Sequence, residues 1–455
     1  MFTRTARTDS YRGLVQPCVT GIVAAIAVVI LLAAASVNSQ TFAEVSTPFT
    51  GVSAGVVVWG DYDNDGDLDV LLTGYVSSTK SIARIYRNDS GGFALSDTSL
   101  NAASSSSAWG DYDNDGDLDL LLAGSSGTKL YENDGGNFVD TRASLSGLKA
   151  GSAAWGDYNN NGTLDLALTG YVGNPPTATN ISTIYRNVKG VFVYDFTSNL
   201  NGVYESSIAW GDYDNDGDLD FLLTGDTSHL VGASFSSLYR NRAGVFFRDS
   251  TNSVTSVSSS SVAWGDYDSD GDLDILLTGG NYWPGGGYGP QAEVYRNDGN
   301  RFSLRYFPDV KGVTQSAAAW GDFDNDGDLD ILITGSETPG PVVKIYRNTG
   351  TGFSVVSTGL IGVRDGAVAW GDYDNDGDLD ILMTGMDALS SRIAKLYRND
   401  SAVRNTPPMP PTNLTSAVAG DTVTLNWDKA TDNETPSNGL TYNLRIGITP
   451  GGTQI

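Results

Sequence analysis

A sixteen-residue stretch, Trp109-Gly-Asp-Tyr-Asp-Asn-Asp-Gly-Asp-Leu-Asp-Leu-Leu-Leu-Ala-Gly124, recurs with few changes from Trp59, Trp155, Trp210, Trp264, Trp320 and Trp370. The spacings between these tryptophans are 50, 46, 55, 54, 56 and 50 residues. A unit of that size cannot bury its own apolar face, so the copies must pack on one another, and the spacing matches a four-stranded propeller blade.

Each copy holds a nine-residue loop with oxygen-bearing side chains at positions 1, 3, 5 and 9 and glycine at position 6, where the backbone must turn sharply. Oxygens at these offsets are the spacing of a calcium loop, because Ca²⁺ is hard and takes six to eight oxygens from one tight turn. Without a cation the carboxylates repel: at an effective dielectric of about 20, two charges about 4 Å apart cost roughly 4 kcal/mol. The candidate metal residues are Asp61, Asp63, Asp65, Asp67 and Asp69; Asp111, Asp113, Asp115, Asp117 and Asp119; Asp157, Asn159, Asn161, Thr163 and Asp165; Asp212, Asp214, Asp216, Asp218 and Asp220; Asp266, Asp268, Asp270, Asp272 and Asp274; Asp322, Asp324, Asp326, Asp328 and Asp330; and Asp372, Asp374, Asp376, Asp378 and Asp380. Up to seven Ca²⁺ are expected. Position 7 is expected to ligate through its carbonyl with its side chain free, and position 9 to bind through both carboxylate oxygens. The third loop keeps two carboxylates and is expected to be the weakest. A solvated acidic turn is the competing reading, since Asp, Asn and Gly are ordinary turn residues. An EF-hand does not fit, for it needs a twelve-residue loop closed by Glu and flanked by helices.

The formal charge is −27, yet 32 of the 54 acidic residues lie in these loops. No Lys/Arg stripe offsets them, which argues against nucleic acid and anionic membrane as partners. Residues 1–39 read as a secretory signal, with Arg4, Arg7 and Arg12 before an apolar run from Ile22 to Ala35. An uncleaved signal anchor is the alternative. The one cysteine, Cys18, falls in that segment, so neither disulfides nor thiolate metal sites stabilise the remainder. A secreted or cell-surface location is expected.

Each unit carries four strand-like pieces. In the second these are Ser105–Trp109, Leu118–Ala123, Lys129–Asn133 and Asn137–Asp140. The second piece is continuously apolar, as in a strand covered on both faces. The third recurs as Tyr-Arg-Asn from Tyr86, Tyr185, Tyr239, Tyr295, Tyr346 and Tyr397, and as Tyr131-Glu-Asn, and a phenylalanine strand follows at Phe93, Phe138, Phe192, Phe246, Phe302 and Phe353. No such strand follows Tyr397. The missing piece is Thr41–Val45, which is expected to close the ring as the outer strand of the last blade.

With these motifs residues 40–400 resemble the FG-GAP or VCBS-type repeats, whose integrin α-subunit members form a seven-bladed β-propeller with Asp-x-Asp-x-Asp-Gly-x-x-Asp calcium loops. The resemblance implies that each loop joins the innermost strand of a blade to its neighbour, on the face away from the one integrins use for ligands. Adhesion-receptor function is not inherited with it, since the chain departs from integrins in having seven such loops. A proline-rich linker, 401–412, precedes strand-like pieces at Leu414–Val418, Val423–Trp427 and Tyr442–Ile446, which resemble the first strands of a fibronectin type III domain. The expected fold is therefore all-β: a seven-bladed propeller followed by a truncated fibronectin type III-like sandwich over 413–455.

Catalysis has little support. His229 is the one histidine, so histidine triads and zinc sites of the usual ligands do not assemble. The expectation is a monomeric, non-catalytic adhesion or recognition module for an extracellular protein or glycan. A polysaccharide lyase or hydrolase and a purely structural spacer are the alternatives. For ligand contact the long segment Gly279–Gln291, expected as a loop, offers Tyr282, Trp283 and Tyr288, aromatic rings beside Gly and Pro.

Overall fold

The computed structural model describes residues 42–97, 100, 106–124, 127–174, 177–196, 198–228, 233–283, 287–400, 409–419, 422–428 and 430–431. The signal-like segment, His229 and the third strand-like piece of the C-terminal region lie outside them. No helix among the described residues is long and apolar enough to cross a membrane.

Strand β1 is Phe42–Val45, and blade 1 follows as β2 (Val57–Gly60), β3 (Asp69–Tyr75), β4 (Ser81–Asp89) and β5 (Gly92–Asp97), antiparallel in that order. Blades 2 to 6 repeat this four-stranded pattern. Blade 7 takes Val368–Gly371, Asp380–Met386 and Arg392–Asn399 from its own repeat and β1 as its outer strand, with Phe42 opposite Asn399 and Val45 opposite Leu396. The first strands of successive blades touch around the ring, and that of blade 7 touches β2. The chain is thus a seven-bladed propeller closed by its N-terminal strand, as expected. The C-terminal pieces form a two-stranded hairpin, Thr412–Ala419 with Thr422–Asp428.

Adjacent blades are joined by aromatic packing. The aromatic residue at loop position 2 reaches into the following blade: Tyr62 stacks on Trp109 at 6.1 Å and contacts Phe138 at 5.6 Å, and Tyr267 stacks on Trp320 at 6.0 Å. In blade 7 Phe42 takes the place of the usual outer-strand phenylalanine, 6.3 Å from Phe323 and 6.4 Å from Trp370. The glycine after each tryptophan has a steric reason: a Cβ on Gly60 would lie 2.6 Å from the Trp109 ring, and one on Gly371 would lie 2.6 Å from Trp59 across the closure. Second-strand residues such as Val70, Leu71 and Leu72 are fully buried, which explains their unbroken apolar run.

One expected loop is instead strand. Residues Gly279–Trp283 and Gly287–Gln291 extend the second and third strands of blade 5, where the backbone of Tyr282 pairs with Tyr288 and that of Trp283 with Gly287. The aromatic residues Tyr282, Trp283 and Tyr288 favour extended backbone and override the turn signal of the flanking Gly and Pro.

Candidate metal loops and the opposite face

The nine-residue loops connect the first and second strands of every blade, and their geometry follows from short side chains folding back on the backbone. Asp61, at position 1, accepts hydrogen bonds from the Asp65 N–H (3.0 Å) and the Gly66 N–H (3.0 Å). Gly66 takes the left-handed φ of +94° expected at position 6, and position 4 is left-handed as well, from Asn160 at +54° to Asn114 at +62°. Asparagine tolerates that region better than most side chains.

The position-9 aspartate is a structural clamp as well as a candidate ligand. Asp69 is fully buried, and its Oδ1 accepts from the Asn88 N–H (2.7 Å) while Oδ2 accepts from the Tyr62 N–H (3.1 Å). Asn88 belongs to the Tyr-Arg-Asn strand, and its Nδ2 donates to the Tyr373 carbonyl of the previous blade (2.8 Å). The same asparagine-to-carbonyl bond recurs in all seven blades, from 2.6 to 2.8 Å. Each loop is therefore tied to the preceding blade.

Position 7 departs from expectation. Its side chain is engaged: Asp117 Oδ2 accepts from the Gly135 N–H (3.0 Å), and Oδ1 accepts from Asn64 Nδ2 of the previous loop (2.9 Å). Corresponding bonds run Asn160 to Asp218, Asn215 to Asp272, Asn325 to Asp378 and, across the closure, Asn375 to Asp67. In loop 3 Thr163 offers no carboxylate, so Asn114 donates to the Gly162 carbonyl instead. A reading confined to one loop cannot see this bond because its partner belongs to the next repeat.

The carboxylates at positions 1, 3 and 9 converge. Ligand atoms of Asp61, Asp63 and Asp69, of Asp212, Asp214 and Asp220, of Asp266, Asp268 and Asp274, and of Asp322, Asp324 and Asp330 lie within 4.8 Å of one another, as do those of Asp111, Asp113 and Asp115 in loop 2. Position 5 enters the convergent set in loop 2, and in both loops it also accepts the position-7 N–H, Asp65 from Asp67 at 3.0 Å and Asp115 from Asp117 at 2.9 Å. The Oδ1 atoms of Asp63, Asp214, Asp268, Asp324 and Asp374 are buried without a hydrogen-bond partner. Several loops thus combine a compact carboxylate set with a buried, unsatisfied oxygen on one of its members, which fits a metal ion.

Burial raises the position-9 carboxyls despite their backbone donors: Asp69, Asp119, Asp165 and Asp274 to about 7, Asp220 and Asp380 to about 8, and Asp330 to about 9. A cation replaces the missing solvation and favours the ionised form.

Sequence reasoning missed the arginine of Tyr-Arg-Asn. Arg296 lies 3.0 Å from both Asp268 and Asp270, Arg347 pairs with Asp324 and Asp326, and Arg240 with Asp214 and Asp216. It partly balances positions 3 and 5 at the loop rim. Blade 2 has Glu132 there, and Asp113 is raised chiefly by burial and by Asp115, with a smaller push from the Glu132 charge. Loop 3 is satisfied internally: the Asn159 amide donates to Asp165 Oδ2 at 2.5 Å. Beside it lies an open groove of about 910 Å³ bordered by Val193, Tyr194, Phe196 and Val245.

The strand that carries Tyr282 and Trp283 starts at Asp274 of loop 5 and runs to the opposite end of the blade, so these residues and Tyr288, paired with Tyr282, stand apart from the loop at the other end of that strand. A different feature occupies the far side of the propeller. The segments that precede the first strands, bridged to the ends of the second strands at Ser53–Tyr75, Lys149–Tyr171 and Arg364–Met386, surround a cavity of about 530 Å³.

A model of the FG-GAP-like repeat matches residues 61–122, 111–168, 212–277 and 322–383. A search of curated proteins finds no match. Similar solved structures include the V. cholerae biofilm matrix protein Bap1, 12% identical with a TM-score of 0.47, over 80% of this chain and 92% of that one. The α-L-arabinofuranosidase of Fusarium graminearum is 11% identical with a TM-score of 0.37, over 80% of this chain and 98% of that one. A Tc holotoxin pore of Photorhabdus luminescens is 15% identical with a TM-score of 0.35, over 74% of this chain and 17% of that much longer one. The matched repeats span more than half of the chain, and the chain belongs to the FG-GAP-like repeat family.

Proposed function

We propose that this chain is an extracellular, calcium-stabilised propeller that recognises a protein or glycan without catalysing a reaction. The observation that carries the metal is the set of buried position-3 oxygens without a partner inside convergent carboxylates. Positions 1, 3 and 9 would hold the ion, with position 5 in loop 2. Bound calcium would supply the positive charge that keeps the buried aspartates ionised, while this chain's asparagines and loop tyrosines lock each loop to its neighbours. Sites made from one surface loop suit the millimolar calcium outside cells, where extracellular modules bind at roughly 10⁻⁴–10⁻³ M. The signal-like N-terminus agrees with that location.

Recognition is supported by the way the aspartates are used. They are committed to loop architecture and to metal, and no histidine lies among the described residues, so general acid–base chemistry has few candidates. An array of matrix proteins and glycans, probed with the calcium-loaded chain and again in chelator, tests the reading. Reproducible calcium-dependent capture is expected. An absence of hits would favour a spacer, and release of new reducing ends from a captured polysaccharide would replace recognition with hydrolysis.

A further inference from the structure

Six of the seven blades contribute to the cavity of about 530 Å³, so it lies on the propeller axis, at the mouth of the central channel away from the acidic loops. At corresponding positions stand Ala54, Ala150, Glu205, Ser259, Gln315 and Asp365, and all six have left-handed backbone, with φ between 45° and 51°. Bonds between blades hold this turn: the Ala54 N–H donates to the Asp365 carbonyl (2.6 Å), the Glu205 N–H to the Ala150 carbonyl (2.6 Å), and the Asp365 N–H to the Gln315 carbonyl (3.3 Å). Glycine would adopt it without strain. Instead one strained backbone presents five kinds of side chain around one opening, and strain of this sort concentrates at ligand sites.

The side chains form a hydrogen-bonding rim. Ser259 Oγ donates to Glu205 Oε2 at 2.7 Å, Gln315 Nε2 donates to Asp365 Oδ1, and Arg364 lies 3.2 Å from Asp365 Oδ2. A carboxylate has about four acceptor sites, so both acids keep capacity for further donors. Tyr75 and Tyr171 form part of the wall, and Lys149 lies 5.9 Å from the Tyr171 ring centre. The volume falls within the range of roughly 300–1,000 Å³ for small-molecule sites.

We infer that the channel mouth binds the end of a neutral saccharide, with Glu205 and Asp365 accepting sugar hydroxyls and the tyrosines covering an apolar sugar face. This rests on the recognition reading above and assigns it a site and a ligand class. Two rim carboxylates, one of them already paired with Arg364, leave only Lys149 to meet an anion, so uronic acids are excluded.

The test titrates the calcium-loaded chain with methyl glycosides of glucose, galactose, mannose, N-acetylglucosamine and glucuronic acid, read by saturation-transfer NMR and calorimetry. At least one neutral glycoside should bind and the glucuronide should not. Glu205→Gln, at an exposed position, should weaken binding by about tenfold or more with an unchanged melt. Asp365→Asn should do the same if it folds, and Glu205→Gln decides if it does not. Unchanged affinity in Glu205→Gln, glucuronide binding as tight as glucoside, or loss of binding in Trp283→Ala alone would each overturn the inference. So would silence from every glycoside; the protein half of the array would then still decide whether the chain is a recognition module.

Discussion

The two faces of this propeller use the repeat in opposite ways. On the loop face the same residues return in nearly every blade, and each does something structural, since position 1 caps the turn, position 2 fills the next blade, position 4 reaches the next loop, and position 9 clamps the third strand. On the opposite face the backbone repeats while the side chains differ, from Ala54 to Glu205 to Asp365. Where a side chain bonds its own repeat and its neighbour's, few substitutes fit. Where the backbone alone closes the ring, the side chain is left to meet something else.

Removing the metal tests this contrast most severely. A site with a dissociation constant of roughly 10⁻⁴ M in about 1 mM calcium contributes roughly 1.4 kcal/mol, so several together rival the roughly 5–15 kcal/mol stability of a whole domain. Chelation should therefore unfold the chain or lower its melting temperature by more than about 10 °C. An unchanged melt, or elemental analysis finding fewer than about four ions per chain, would show that the acidic loops stand without metal.

Both faces depend on closure by β1. Deleting residues 41–45 removes the Phe42 contacts with Phe323 and Trp370 and bares the edge of Arg392–Asn399. Phe42 is half-buried, so its loss costs less than the about 3–5 kcal/mol of a fully buried aromatic, and an open edge invites aggregation. A deletion variant that stays monomeric and melts with the parent would contradict this closure.

A smaller effect separates the faces by pH. The position-9 carboxyls are raised to about 7–9 by burial, so between the ordinary carboxylate range and those values the metal-free folded chain binds more protons than the unfolded chain. Its stability must then fall as pH rises through that window. In chelator the melting temperature should drop from pH 5 to pH 8, and the gain on adding calcium should grow over the same interval. A calcium gain independent of pH would mean that these aspartates are not linked to the metal.

The smallest effect concerns the mouth. Glu205→Gly relieves a left-handed φ of 46° and should change stability by between zero and about 1 kcal/mol in the favourable direction. Urea unfolding that instead finds a loss of more than about 1 kcal/mol would make the mouth as architectural as the loops.

The repeat, the four strands of each blade, the metal-type loops and the use of Phe42–Val45 to complete blade 7 are all legible in the amino-acid order. They follow from periodicity, from turn residues at fixed offsets and from counting strands, all of which are local or additive. Four other features arise only in the folded ring. The position-7 carboxylate is held by an asparagine one repeat away, and the arginine of Tyr-Arg-Asn meets the loop of its own blade only after the sheet forms. The segment around Tyr282 pairs as strand, although its glycines and prolines spell a loop. The channel mouth gathers residues from Ala54 to Asp365 that share no motif. A closed ring brings distant turns to one axis, and that convergence is a property of the circle, which no single repeat encodes.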